Sequence, residues 1–383
     1  MRSKSILVLA MVCVMAAANI ASADMVQGIN IDFVTIGNVG NAADTQVMSD
    51  GTTGYGAVGY EYRIGKYEVT NAQWNAFVAV AGAPTGNPSY GYDQSAFYTG
   101  TQQPTSNVSW YEALQFCNYL TSGDKSKGVY QFSGNNANPG DFLGIDRATA
   151  QATYEIIYVL PTENEWYKAA YYKPDRSGYS LYANGTNTAP IAGVQSNYNN
   201  VIGVPWNVGS GMQEQNGTFD MMGNVWEWNE TLYNNDPSYA LRGGCLLNIE
   251  AYLCSSFRSN GWPYSEDCSN ARLGFRIASI PEPNPIQEIL DFIEESVADG
   301  TLVPVKPGKA GEGQLGALIN MIEAAGNLID ANDPNLLAEA CGQLQAALGK
   351  TDGQERPPDF VTGEATAELA SKIEALMTTL GCN

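Results

Sequence analysis

Gly223-Asn224-Val225-Trp226-Glu227-Trp228, followed by Leu241-Arg242-Gly243-Gly244 and Leu273-Gly274-Phe275-Arg276, is the stretch that decides how this chain of 383 residues is read. Trp226 and Trp228 flank a carboxylate at alternating positions. Alternation marks this stretch as a strand, and core packing is the role expected of at least one indole. Gly243-Gly244 lacks a following Lys-Ser/Thr, so it is no phosphate loop and reads as a bulge or close backbone contact. Other short alternating runs lie at Tyr62 to Val69 and Tyr154 to Leu160, and the run Ala240 to Gly244 is expected to approach Leu273 to Ala278. Among them stand three helix starts. Thr70-x-x-Gln73 opens Asn71 to Val80, Ser109-x-x-Glu112 opens a helix with Trp110, Ala113, Leu114, Cys117 and Leu120 on one face, and Thr162-x-x-Glu165 opens a run through Ala170. In each, the hydroxyl accepts a free backbone N–H while the Glu or Gln reaches back to the cap. Short strands, short helices and loops crowded with Gly, Asn, Thr and Tyr make an α+β domain with much irregular loop, an arrangement suited to binding.

Composition narrows the chemistry. The chain has no histidine, which excludes Ser-His-Asp and Cys-His nucleophile pairs, zinc sites built on imidazole, and the facial triad of non-haem iron. With 40 acidic residues against 19 basic ones the formal charge is −21, which opposes nucleic acid. Arg2 and Lys4 precede an apolar run from Ile6 to Ala18, and Ala21-Ser22-Ala23 supplies a small-residue cleavage pattern. Residues 1–23 therefore read as a secretory signal peptide cut before Asp24, too short for the ~20 apolar residues that span a bilayer. No later segment is apolar enough to cross a membrane. Export favours disulfides among the six remaining cysteines. Cys341 with Cys382 is the economical pair in the tail, Cys254 with Cys268 closes a plausible loop, and Cys117 and Cys245 are left as thiols.

The seven tryptophans all lie between Trp74 and Trp262. Residues 281–285, Pro-Glu-Pro-Asn-Pro, form a linker between a domain at 24–280 and an acidic helical domain at 286–383. The triplet Pro281-Glu282-Pro283 looks like an export-sorting tag, but the transmembrane run and basic end of such tags do not follow it. In the tail, Ile286, Ile289, Leu290, Ile293 and Val297 recur at helical spacing, as do Leu315, Leu318, Ile319 and Ile322. Further helices are expected from Leu336 to Leu348 and from Glu364 to Leu380, the last opened at Thr362, with Gly349 and Gly381 as stops. This small all-α bundle resembles the FIMAH domains of exported bacterial proteins, which implies attachment or spacing.

Residues about 30 to 280 resemble the formylglycine-generating enzyme family, the sulfatase-modifying-factor domain with a C-type-lectin-like fold. The resemblance rests on ordered motifs: Lys66-Tyr67-Glu68-Val69-Thr70-Asn71, Val108-Ser109-Trp110-Tyr111-Glu112-Ala113, Leu160-Pro161-Thr162-Glu163-Asn164-Glu165-Trp166, and the three stretches quoted first. Catalytic members hold copper with two cysteines, four and nine residues beyond the second glycine, and oxidise a sulfatase cysteine to formylglycine. Those positions here are Asn248 and Leu253, while the chain's own thiol candidates are Cys245 and Cys254. The related iron-dependent sulfoxide synthases use histidines and are excluded. The family's calcium site maps onto Asp220, Gly223, Val225 and Glu227, two carboxylates and two backbone carbonyls in a tight turn, which is the donor set hard Ca²⁺ prefers. The alternative is a salt-bridged turn in which a buried Arg242 or Arg276 takes Glu227. A second family site near Asn197 has a shortened completing segment and is not claimed.

The expected protein is thus a bacterial, secreted, periplasmic or cell-surface chain that binds a protein or glycan on a calcium-stabilised scaffold. A divergent copper-dependent formylglycine-generating oxidase using Cys245 and Cys254 is the enzyme alternative, and a matrix component docked by its helical tail is the structural one.

Overall fold

The computed structural model describes residues 22–383, apart from 93–97, 235, 266, 269–270, 282–284, 332, 334, 354–357 and 383. Residues 1–21 of the expected leader, and the centre of the Pro-rich linker, lie outside the described residues. The chain divides into two compact units, Met1–Glu282 and Pro283–Asn383.

In the first unit the strands are β1 (Ser22–Val26), β2 (Ile29–Ile36), β3 (Tyr62–Gly65), β4 (Tyr130–Phe132), β5 (Phe142–Ile145), β6 (Ile156–Val159), β7 (Trp226–Leu232), β8 (Tyr239–Arg242), β9 (Ser259–Gly261), β10 (Asp267–Cys268), β11 (Ala271–Gly274) and β12 (Ala278–Pro281). The helices are α1 (Asn71–Ala81), α2 (Trp110–Ser122), α3 (Arg147–Gln151) and α4 (Glu163–Tyr171). Two five-stranded sheets carry the architecture, in the orders β1-β2-β3-β12-β6 and β10-β11-β7-β8-β9, and β4 pairs with β5.

The three capping boxes form as the sequence predicts. Thr70, Ser109 and Thr162 each accept the N–H three residues on, while Gln73, Glu112 and Glu165 reach back to the cap N–H. The strands depart from expectation in two ways. The run Leu273 to Ala278 is two strands, not one: β11 ends at Gly274 and β12 starts at Ala278 in the other sheet. At Gly274 a side chain would run into the Thr105 carbonyl and Val225, so this residue passes close under its neighbours. Nor does β8 lie beside β11. The Trp-Glu-Trp strand β7 runs between them, parallel to β11 and antiparallel to β8. Trp226 and Trp228 are both buried. Tyr252 and Phe257 cover Trp226, whereas Trp228 lies under Gly261 and donates to the Val108 carbonyl. The aromatic core around Phe33, Tyr62, Phe77, Trp110, Phe116, Trp166 and Phe275 fills the first unit.

The second unit packs α5 (Pro285–Ala298), α6 (Lys309–Asp330), α7 (Leu337–Leu348) and α8 (Thr366–Leu380) around Ile289, Ile293, Leu318, Ile322, Leu344, Leu369 and Ile373. A ladder of β13 (Val303–Pro304) with β14 (Val361–Thr362) has no signal in the helical spacing. It takes Thr362 away from the role of helix cap, and α8 starts after Ala365 with no side-chain cap. No helix among the described residues is long and apolar enough to cross a membrane.

Cys341 and Cys382 form the disulfide expected of them, S–S 2.00 Å, closing 41 residues of chain. The expected Cys254–Cys268 bridge is not formed. Cys254 is a free thiol, placed 3.0 Å from the Ala251 carbonyl oxygen and 3.2 Å from the Ser256 hydroxyl, and the side chain of Cys268 lies outside the described residues. The tail is small, so the loop closure carries much of its stability. Reducing the bridge, or Cys341→Ser with Cys382→Ser, is expected to cost the helical unit about 2–4 kcal/mol, read as an earlier helical melting step by circular dichroism while the near-ultraviolet aromatic signal of the first unit is retained.

Candidate functional site

The turn before β7 is held in conformations that side chains rarely adopt. Asp220 and Asn224 have φ of 61° and 59°, and Gly223 has 82°. At Gly223 any side chain would collide with the Asn197 carbonyl. The turn delivers Glu227 into the interior, where Arg276 meets it from the passage between β11 and β12. Arg276 Nε donates to Glu227 Oε2 at 2.6 Å and Nη2 to Oε1 at 2.7 Å, with both side chains fully buried. The rest of the guanidinium is used as well: Nη1 donates to the Gly65 carbonyl and Nη2 to that of Phe219, each at 2.9 Å. Trp166 Nε1 of α4 donates to Glu227 Oε2 at 2.6 Å. Of the two partners expected for Glu227, Arg276 takes it.

Arg242 instead pairs with Glu163 at 2.7 Å, and Arg258 grips the same Glu163 through both oxygens, at 2.9 and 2.6 Å. Arg147 bridges Glu165 and Glu230 at 2.8 and 2.9 Å. The guanidiniums of Arg147, Arg242, Arg258 and Arg276 are therefore committed inside the protein.

Three further carboxylates gather near Arg276. Glu68 accepts from Asn224 Nδ2 at 2.6 Å and from the Val225 N–H at 3.2 Å. Glu214 accepts from the Thr218 hydroxyl at 2.9 Å and from the Met221 N–H. Asp220 accepts from Trp206 Nε1 and the Gly209 N–H, both at 2.8 Å. Burial raises all three above their ordinary range. The charges of Asp220 and Glu227 add to this at Glu68, and Glu214 is pushed up to about 8. Neither Glu68 nor Glu214 figures in the site expected from sequence. Glu68 carries a signal there, since it sits inside the Lys66-Tyr67-Glu68-Val69 motif.

Of the four residues expected to bind calcium, Asp220, Gly223 and Val225 lie in this turn and Glu227 follows on β7. Each carboxylate oxygen has about two acceptor positions. Arg276 and Trp166 use three of the four on Glu227, leaving one on Oε1, while Asp220 keeps one on each oxygen. No three acidic or cysteine side chains form a cage among the described residues, so a cation here would lean on the Gly223 and Val225 carbonyls. The donor chemistry, oxygen only and anionic, fits a hard divalent ion.

Asn248 and Leu253, where the resemblance puts the copper thiolates of catalytic members, carry no thiol. Asn248 Oδ1 accepts the Cys245 N–H at 2.7 Å, and Leu253 is fully buried against Gly244. Cys245 is itself buried in the core, whereas Cys254 is half-buried. A cleft of about 420 Å³, lined by Asn30, Asp32, Glu68, Thr70, Gln73 and Gln102 among others, borders neither thiol.

Comparison with known proteins adds the following. The family described as the sulfatase-modifying factor enzyme 1-like domain matches residues 40–280. The chain is 27% identical over 185 residues to the "Chaperone protein LppX" of Paenibacillus barcinonensis, a match covering 44% of this chain and 61% of that relative, so less than two thirds of the relative's length is spanned. Among solved structures, Treponema denticola variable protein 1 is similar at 23% identity and a TM-score of 0.48, covering 70% of this chain and 100% of that one. PvdO from Pseudomonas aeruginosa is similar at 16% identity and a TM-score of 0.46, covering 68% and 98%.

Removing one partner of a buried ion pair strands the other. Glu227→Gln is therefore expected to cost about 3–5 kcal/mol in urea unfolding. A carboxyl whose folded pKa exceeds its unfolded value binds more protons when folded, so its contribution is full below pH ~4.3 and is lost as pH rises through about 8. Stability of the wild type is expected to fall across that window, and Glu214→Gln to flatten the fall in a pH series of unfolding curves.

Proposed function

This chain belongs to the sulfatase-modifying factor enzyme 1-like domain family, and we propose that within it the protein is a binding module and not an oxidase. One observation carries the reading: Asn248 and the buried Leu253 stand where the family's copper thiolates belong. Two sulfurs must converge on one soft ion for that chemistry. Here Cys245 is closed in the core and Cys254 is engaged with the Ala251 carbonyl and the Ser256 hydroxyl. The scaffold around this loop is otherwise intact, with its buried arginines paired and its helices capped, which is what a rigid platform for loops requires. That a partial relative bears the name chaperone supports a protein as the bound partner.

The proposal includes calcium at Asp220, Glu227 and the carbonyls of Gly223 and Val225. Support comes from the oxygen-only donor set and from the buried carboxylates, which outnumber Arg276. It also includes export, supported by the leader-like start of the sequence and by the Cys341–Cys382 bridge, a bond of oxidising compartments.

Copper-loaded protein incubated with a sulfatase-motif peptide is expected to yield no aldehyde. Aldehyde formation abolished by Cys245→Ser or Cys254→Ser would establish the oxidase instead. Chelation with EDTA is expected to lower the melting midpoint of the wild type, and Asp220→Asn to remove that shift. A wild-type midpoint indifferent to EDTA rules calcium out.

A further inference from the structure

The chain is strongly acidic, yet one long segment has no charge at all. Between Arg176 and Glu214 there is no Asp, Glu, Lys or Arg, and none occurs from Gly243 to Ile249. The structure brings parts of these two segments together. The Asn199 N–H donates to the Asn248 carbonyl and the Asn200 N–H to the Leu246 carbonyl, each at 2.7 Å. Val201 and Ile202 fold back against Gly193. On the resulting surface Ile191, Val194, Val201, Ile202, Leu247 and Ile249 are each between 40% and 65% exposed. Single exposed aliphatic residues are ordinary, but six of them on adjoining loops with no charge among them make a patch of the kind that marks a contact surface.

We infer that this patch is the interface between two copies of the chain. Its chemistry points to itself. An uncharged surface has no sign for a basic or acidic partner to complement, and the net charge of −21 opposes an anionic membrane. The polar groups interleaved with the aliphatic ones are amides, including exposed Asn199 and Asn200, and an amide both donates and accepts, so it matches its own copy across a two-fold axis. Two chains of this charge repel over most approaches. Apart from Glu250 at its margin, the patch is a surface through which they meet without pressing carboxylate on carboxylate, and depletion of charge is what the core of an interface requires. The inference holds whether or not the domain performs chemistry.

Sedimentation velocity on the purified protein tests it. A monomer–dimer equilibrium is expected, with the dimer fraction rising with protein concentration. It should also rise with added sodium chloride, because salt shortens the ~10 Å reach of the repulsion at 0.1 M while leaving apolar contact in place. Val201→Asp and Ile249→Asp are exposed positions and should each abolish the dimer without moving the melting midpoint. Val194→Lys makes the same test with the opposite charge should either variant fail to fold. A monomer at every concentration and salt level overturns the inference, as does a dimer indifferent to all three substitutions. If that monomer suppresses aggregation of reduced insulin B chain, and Val201→Asp abolishes the effect, the patch belongs to apolar segments of other proteins and not to a second copy.

Discussion

The buried pair of Arg276 and Glu227 joins the parts of the first unit that share no continuous chain. Arg276 lies on the three-residue passage from β11 in one sheet to β12 in the other, and Glu227 lies on β7, beside β11. Through the same two side chains the site also holds the end of β3 by the Gly65 carbonyl, the turn before β7 by the Phe219 carbonyl, and α4 by the Trp166 indole. Taking two charges out of water costs several kcal/mol each, and their attraction offsets this only where the remaining donors and acceptors are also satisfied. Here they are. A shift of either sheet would strand a guanidinium in the core, so the pair acts as a register for the whole unit more than as a source of net stability.

The same device recurs around α4. Glu163 at its first turn receives Arg242 and Arg258, and Glu165, which also closes the capping box, receives Arg147 together with Glu230 of β7. Short strands and long loops give this unit few ladder hydrogen bonds for its size. Fully satisfied ionic clusters do what long strands do in other folds, which is to define one arrangement among many of similar apolar burial. The loops above are then free to vary. That is consistent with a family scaffold persisting here around a loop in which Asn248 caps the Cys245 N–H and Leu253 is buried.

Around Arg276 the core holds more carboxylate than cation. Glu68, Glu214 and Asp220 are buried, hydrogen-bonded by neutral donors, and raised in pKa chiefly by burial. A proton or a cation relieves the same imbalance, which links the acid dependence of stability to the calcium reading through a single cluster. The surface differs at the loops of residues 191–204 and 247–249, which hold exposed aliphatic side chains and no charged residue of their own.

Local rules made much of this legible in advance. The capping boxes at Thr70, Ser109 and Thr162 are encoded by residues three apart, the tail helices by apolar positions at helical spacing, and the Cys341–Cys382 bridge by the isolation of two cysteines in one segment. Alternation likewise marked Trp226-Glu227-Trp228 as a strand. It did not say which strands flank it, because a two-residue period records which face a side chain takes and carries no information about neighbours in the sheet. For the same reason Leu273 to Ala278 read as one strand when it is a crossing between two. The choice of Arg276 over Arg242 for Glu227, the burial of both tryptophans, the free Cys254 thiol and the gathering of Glu68, Glu214 and Asp220 were decided only when segments as far apart as Gly65 and Arg276, 211 residues along the chain, came into contact. Short-range bonding can be read along a sequence because its partners are a fixed count of residues away; ion pairing and desolvation depend on distances through space, and those exist only once the chain has folded.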